Sequence, residues 1–413
     1  MNLAKDLAFL YGESAISAQT ARYENAIGKF TSLYPQRTDF RVFSAPGRTE
    51  IGGNHTDHQH GCVLAAAVDL DIIAVIALHN EGVIRVKSEG YDPFEVDLSD
   101  LSLNSDDCST ASIVRGVCFK FAELGCNVGG FDMYCTSNIP SGGGVSSSAA
   151  FETLIGTIID ICYNECKAGP VEIAKIGQFA ENVYFGKNSG LMDQTASSVG
   201  SLVAIDFLDE SNPKITKVDF DFENAGYSLC ITDTKGSHAD LTPDYDAIPY
   251  EMKMISDYFG KSYLRFVDET EFYREIPNLL KEIPERSILR AMHFFDDNKR
   301  AQREADALAK GDIDTFLALV SESGYSSQNL LQNIYSTSKP TCQELSLAIE
   351  LSKKVLNSRG AVRVHGGGFA GTIQAFVPFD LLAEYTKTMD SLFGEGACMK
   401  LRIRPVGGYE ING

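Results

Sequence analysis

Ile139-Pro-Ser-Gly-Gly-Gly-Val-Ser-Ser-Ser-Ala-Ala150 is a triple-glycine loop that runs through three serines into a helical pattern. Before it, Phe131-Asp-Met-Tyr-Cys-Thr136 alternates like a strand; after it, Phe151, Leu154, Ile155, Ile158 and Ile159 recur at helical spacing. Glycines leave successive backbone N–H groups free to converge on one anion, and a helix N-terminus favours negative charge. Strand, glycine loop and helix are the context that a phosphate site requires. No Gly-Lys-Ser/Thr follows the glycines and the next lysine is Lys167, so this is not a Walker A loop, nor does it carry a dinucleotide fingerprint. The phosphate charge would have to be met by the helix dipole, the serine hydroxyls and a metal. Runs of this kind also occur as flexible turns, so the loop needs support from the rest of the chain.

With 413 residues, 44% hydrophobic and 22% charged, the chain is long enough for two domains, each with its own core. A net charge of -20 argues against nucleic acid or an anionic membrane as partner. A polyanionic substrate would therefore need a local positive site or a cation. The ten cysteines are scattered singly, a pattern expected of reduced thiols in a cytoplasm. Met1-Asn-Leu-Ala-Lys-Asp reads as neither a signal sequence nor a transit peptide, and no apolar run reaches the length of a membrane span.

Outward from the loop, residues 1–38 have helical periodicity, 41–46 read as a strand, and 62–68, 72–78, 83–88 and 94–98 as four more. Helices are expected at 112–124, 146–163 and 171–185. After the polar connector 209–214, strands are expected at 216–222 and 227–233, and helices at 249–258, 299–310, 312–332 and 341–357. Strand 372–378, helix 380–392 and strand 398–404 complete the pattern. The class is α+β, with one domain over 1–210, a second over 211–413 and a site between them. Two more stretches stand out. Gly47-Arg-Thr-Glu-Ile-Gly-Gly-Asn-His-Thr-Asp-His-Gln-His-Gly61 crowds ionisable residues among four glycines, and Gly360-Ala-Val-Arg-Val-His-Gly-Gly-Gly-Phe-Ala-Gly-Thr372 is a third glycine cluster.

In this order the three stretches resemble the signature motifs of the GHMP sugar and isoprenoid kinases, and most specifically those of the galactokinase family. Gly47-Arg48 and Gly53-Asn54-His55-Thr56-Asp57 resemble the sugar signature, 140–150 the PxGxGLSSSA loop, and 360–372 the third motif. Ala180-Glu181-Asn182, Gly186 and Ser189-Gly190-Leu191-Met192-Asp193-Gln194 are similar to the region of the family's catalytic aspartate. The resemblance implies a two-domain GHMP kinase fold and an enzyme that transfers the γ-phosphoryl group of Mg·ATP to the C1 hydroxyl of galactose. It also implies a small-molecule sugar and ATP as the partners, with no obligate protein partner.

Phosphoryl transfer needs positioning, charge stabilisation and a group that orients the attacking hydroxyl. The resemblance assigns that last role to Asp193, with Arg48 holding it ionised. ATP falls to Pro140, Ser141, Gly142, Gly143, Gly144, Val145, Ser146, Ser147 and Ser148. Magnesium falls to Ser147 and Glu181. The sugar falls to Asn54, His55, Asp57, Gly190 and Tyr245. An alternative reading of His55, His58 and His60 with Asp57 is a transition-metal site, although no complementary Cys or His pair follows at familiar spacing.

The chain departs from the family where specificity is decided. Asn54 stands where a glutamate usually meets the C6 hydroxyl, Glu50 replaces an asparagine, Gly52 an isoleucine and His58 a tyrosine. A C6- or C2-modified sugar such as galacturonate or N-acetylgalactosamine is therefore an alternative substrate, and Asn54→Glu is expected to shift preference toward galactose. A non-catalytic ATP and galactose sensor of the same fold is the other alternative. It would be expected to lose loop or catalytic residues, and here Ser146–Ala150 and Asp193 are intact.

Overall fold

The computed structural model describes residues 3–104, 107–140, 143–187, 189–237 and 239–412. Its strands are β1 (Arg41–Gly52), β2 (Cys62–His79), β3 (Val83–Ser88), β4 (Phe94–Asp97), β5 (Gly130–Ser137), β6 (Leu202–Asp206), β7 (Lys214–Val218), β8 (Tyr227–Asp233), β9 (Ala361–His365), β10 (Thr372–Pro378), β11 (Cys398–Leu401) and β12 (Tyr409–Ile411). Its helices are α1 (Ala4–Tyr11), α2 (Ile16–Leu33), α3 (Thr110–Glu123), α4 (Ser147–Asn164), α5 (Gly169–Phe179), α6 (Met192–Val199), α7 (Thr242–Tyr258), α8 (Glu269–Leu279), α9 (Glu285–Ala309), α10 (Ile313–Ser326), α11 (Glu344–Leu356) and α12 (Leu382–Phe393).

Eight strands form a mixed sheet in the order β12-β1-β2-β5-β3-β4, with β6 on β2 and β7 on β6. A second, antiparallel sheet runs β11-β8-β10-β9. Phe131 and Met133 of β5 and Ile76 of β2 share the largest core cluster with Ile155 and Ile158 of α4. Because α4 is apolar nearly all round, it is buried between the sheet and α5. Burial of that kind fixes the glycine loop at its N-terminus relative to β1.

The α+β class expected from the sequence is what the two sheets and their helices form. A division at residue 210 does not follow the sheets, since β7 and β12 both belong to the first one. The expected strands 62–68 and 72–78 are one strand, β2. Its interruption, Asp69-Leu-Asp71, looks like a turn in sequence, but Asp71 is fully buried and paired with Arg22 and Arg404. Helix α9 begins at Glu285 and not at 299, and packs against β1 and β2. Residues 180–185 and 327–331, expected to continue α-helices, are π-helical. All ten cysteines are unpaired, and no helix among the described residues is long and apolar enough to cross a membrane.

Candidate active site

The glycine loop reaches α4 through Ser146, which stands at the N-cap with φ 53°, in the left-handed region that serine rarely adopts. Its hydroxyl makes no capping bond, so the first N–H groups of α4 are not occupied by that side chain. Ser141 and Gly142 lie outside the described residues; Pro140, Gly143, Gly144, Val145, Ser147 and Ser148 complete the loop, with Gly144 and Ser147 exposed. Strand β1 runs close beneath it. The Arg48 N–H donates to the Val145 carbonyl at 2.9 Å, and a Cβ on Gly47 would lie 2.6 Å from that carbonyl oxygen. Only glycine at position 47 permits this approach.

The next residue carries the chemistry. Irregular registers between Pro46 and Arg48 and between Glu50 and Gly52 break the β1–β2 ladder on either side of Arg48 and set its direction. Its guanidinium grips Asp193 with two bonds, Nε to Oδ1 at 2.6 Å and Nη2 to Oδ2 at 2.5 Å, and its Nη1 donates to the Gly144 carbonyl. Asp193 lies in the first turn of α6. Burial pushes its carboxyl up, but the Arg48 charge and hydrogen bonds, with another from Ser146, outweigh this and hold it below its ordinary value. Asp193 is therefore an ionised acceptor, tied through Arg48 to the phosphate loop.

On the far side of Asp193, a Cβ on Gly190 would meet Asp57 Oδ2 at 2.7 Å, so the carboxylate of Asp57 faces the Gly190 backbone. Burial pushes the Asp57 carboxyl up, His55 pulls it back, and the charge of Asp193 adds to the rise. The two carboxylates thus share one local field. Asp57, Ser189 and Gly190 line a cavity of about 680 Å³ that continues to His60, Tyr250 and Tyr263. His55 Nε2 lies 3.0 Å from the Gly367 carbonyl, which can only accept, so that nitrogen carries the proton. The Tyr245 hydroxyl donates to the Gly368 carbonyl at 2.9 Å, and burial followed by Asp244 pushes its pKa up to about 12. His55 thus ties the third glycine stretch to the first, and Tyr245 ties it to α7.

Asn54 does not face this cavity as expected from the sequence. It is fully buried: its Nδ2 donates to Glu50 Oε1 at 3.1 Å and to the Gly366 carbonyl at 2.8 Å, and its Oδ1 accepts from Ser327 and Asn333. Its backbone N–H donates to Asp297 and its carbonyl accepts from His293, both at 2.8 Å. Every polar group of Asn54 is used within the protein. The departures from the family pattern meet here: Glu50 binds Arg363, and a Cβ on Gly52 would lie 1.6 Å from Glu304 Oε2. His58 is half-buried with both ring nitrogens out of water, and is held neutral, its pKa lowered to about 3 by desolvation and then by His55. His60 packs on Tyr263 with centroids 3.9 Å apart, and no group of three His, Cys, Asp or Glu able to hold a metal is found among the described residues.

A third set of carboxylates adjoins Asp193. Gln194 Nε2 donates to Glu152 Oε2 at 3.0 Å and to Glu181 Oε2 at 2.9 Å, and Lys187 Nζ lies 2.7 Å from Glu181 Oε1. The other oxygen of Glu152 is buried without a partner. Burial, and then Glu181, pushes the Glu152 pKa up to about 8. Glu152 escaped the sequence reading because it joins the site only through the packing of α4 on α6, whereas Lys187 and Gln194 stand close in sequence to Glu181 and Asp193. Beyond Ser147 and Ser148, a cavity of about 550 Å³ is lined by Tyr91, Phe94, Phe151 and Phe185. These aromatics come from four separate elements, so no local pattern marks them.

A glycine loop at the open N-terminus of a buried helix, an Arg–Asp pair beside it and a polar cleft behind define a GHMP kinase. A family model described as the GHMP kinases N terminal domain matches residues 112–201, and one described as the galactokinase galactose-binding signature matches residues 28–78. A galactokinase of Actinobacillus pleuropneumoniae serotype 5b is 31% identical over 357 residues, covering 86% of this chain and 89% of that protein. One of Streptomyces coelicolor is 29% identical over 377 residues, covering 91% and 94%. Among solved structures, Lactococcus lactis galactokinase complexed with galactose superposes with a TM-score of 0.78 at 23% identity, covering 92% of this chain and 98% of that one. Methanococcus jannaschii mevalonate kinase does so at 0.63 and 16%, covering 89% and 99%. The chain belongs to the galactokinase family.

Proposed function

We propose that this chain is a sugar-1-kinase that transfers the γ-phosphoryl group of Mg·ATP to the C1 hydroxyl of galactose. The observation that carries the reading is the doubly bonded Arg48–Asp193 pair, hydrogen-bonded to the Gly144 carbonyl of the phosphate loop. Asp193 orients the sugar hydroxyl, whose oxygen forms the new bond to the γ-phosphorus as the bond to ADP breaks. Held below its ordinary pKa, Asp193 is a weak base, so the proton moves late, to Asp193 and then to solvent. Arg48 offsets the charge that develops between loop and sugar. The N–H groups of α4 receive the phosphates, and the aromatic cavity beyond Ser147 has the size and lining suited to a purine.

Asp57 and the Gly190 backbone are the sugar ligands best supported by geometry, while His55 and Tyr245 shape the cleft from the third glycine stretch. Glu181 and the Ser147 hydroxyl offer the hard oxygens that Mg²⁺ prefers, and the unpartnered oxygen of Glu152 adds a third beside them. Bound there with ATP, Mg²⁺ would neutralise charge on the transferring phosphate. Unpaired cysteines are in keeping with a cytoplasmic location. With Asn54 consumed inside the protein, the argument for a C6-modified sugar loses its basis, and galactose leads the order of substrates. The intact serine run and Asp193 support an enzyme over a sensor.

The test is coupled ADP release with Mg·ATP against galactose, galacturonate, N-acetylgalactosamine, arabinose and glucose, with Asp193→Asn as the blank. Galactose is expected to turn over fastest and the variant to lose turnover while still binding ATP. Full activity in Asp193→Asn would remove the assigned role. A melting point raised by galactose without any turnover would favour the sensor.

A further inference from the structure

The phosphate loop contains no lysine, yet the structure brings one to the same site from another element. The π-helical turn 180–185 ends at Gly186 with φ 79°, and the wider turn lets the Lys187 N–H donate to the Glu181 carbonyl at 3.1 Å. Lys187 is thereby anchored by its backbone directly over Glu181, and its Nζ meets Glu181 Oε1 at 2.7 Å. Its charge acts on Asp193 and Glu152 as well. Three carboxylates, those of Asp193, Glu152 and Glu181, thus lie near a site meant for a polyanion. Arg48 is committed to Asp193 by two bonds, which leaves Lys187, among the described residues named at this site, as the cation with freedom to move.

Its exposure indicates how it moves. The Lys187 side chain is 59% exposed while that of Glu181 is 3% exposed. An ion pair held by an exposed lysine is weak and easily exchanged, whereas the buried carboxylate cannot remain without a cation. We propose that Lys187 is a phosphate-binding residue that covers Glu181 until Mg·ATP arrives, then exchanges the carboxylate for the nucleotide's phosphate oxygens. A compact ammonium on a flexible stem suits that exchange. The inference rests on the kinase reading and adds to it a cation that the loop itself lacks.

The experiment uses Lys187→Met, which keeps most of the volume and removes the charge, with Lys187→Arg as the second variant. Two equilibria are measured on the full chain: Mn²⁺ binding without nucleotide, by water-proton relaxation, and binding of a non-hydrolysable ATP analogue with Mg²⁺, by calorimetry. Lys187→Met is expected to bind Mn²⁺ about three- to tenfold more tightly, because the competing ammonium is gone, and the analogue about tenfold more weakly. Lys187→Arg should return the analogue's affinity most of the way. A lysine that only steadied Glu181 would leave analogue affinity unmoved. Unchanged affinities in Lys187→Met, or both changing in the same direction, would overturn the proposal. If the unaltered protein bound no analogue, the kinase reading itself would fail; if it bound and Lys187→Met matched it, only the role of Lys187 would.

Discussion

Restoring the family's arrangement at Glu50 and Asn54 one residue at a time should be worse than restoring both. The two side chains are buried 3.1 Å apart, acid and amide in the reverse of the usual order. Glu50→Asn takes from the wholly buried guanidinium of Arg363 the one carboxylate bonded to it, with Asp297 acting only from farther off; breaking such a pair costs about 3 to 5 kcal/mol. Arg363 keeps its bonds to the carbonyls of Ile51 at 2.6 Å and Val364 at 3.0 Å, so about 3 kcal/mol is expected. Asn54→Glu removes the donor to Gly366 and sets a second carboxylate against Glu50, again about 3 kcal/mol. Additivity would give about 6 kcal/mol for the double variant. With one acid and one amide still facing each other beside Arg363, it should lose only about 3 kcal/mol, a coupling near the top of the range for contacting residues. The chain has no tryptophan, so chemical denaturation followed by far-ultraviolet circular dichroism is the assay. Additivity within about 0.5 kcal/mol would refute the reasoning, and a sugar preference altered by Asn54→Glu without loss of stability would return Asn54 to the sugar cleft.

Gly190→Ala drives a methyl into Asp57 and should raise the sugar KM at least about tenfold while leaving ATP affinity unchanged, as read by initial rates and calorimetry. A normal KM would separate Asp57 from the sugar. Glu152 bears on pH dependence. Its folded pKa is raised to about 8 from 4.5, so its contribution to stability is present below about pH 4.5 and is lost as pH rises toward 8. Glu152→Gln should therefore gain on the parent between pH 5 and pH 8 in melting temperature; parallel curves would show that the Glu152 carboxyl is not strained.

What the sequence disclosed and what it hid divide along physical lines. The glycine loop was legible because strand, glycines and helix in succession form a local pattern that backbone chemistry demands, whereas Arg48 and Asp193 were marked by the resemblance to a family and the structure pairs them. Helix α6 was not: with Thr195, Ser197 and Ser198 buried beside Ala196, it has no apolar stripe to betray it. Helix α9 was half seen for the opposite reason. His293, Asp297, Arg300 and Glu304 recur at helical spacing, but the stripe is polar and buried, so hydrophobic periodicity passes over it. That stripe is the wall behind Asn54, and the misplacement of Asn54 at the sugar follows from not seeing it. A run of ionisable residues at helical spacing was the signal available.

The strand that closes the first sheet bears on how the protein is made. Residues 409–411 pair with β1, and Arg41 reaches Glu410 across 369 positions of sequence. A ribosome delivers β1 long before its neighbour β12, so the outer edge of β1 stays open until residues 409–411 emerge. Closing so long a loop is slow, and an open strand edge invites pairing with another chain. A strand made well before its partner thus waits for it unsealed, and the yield of the protein in a cell will depend on what guards that edge in the meantime.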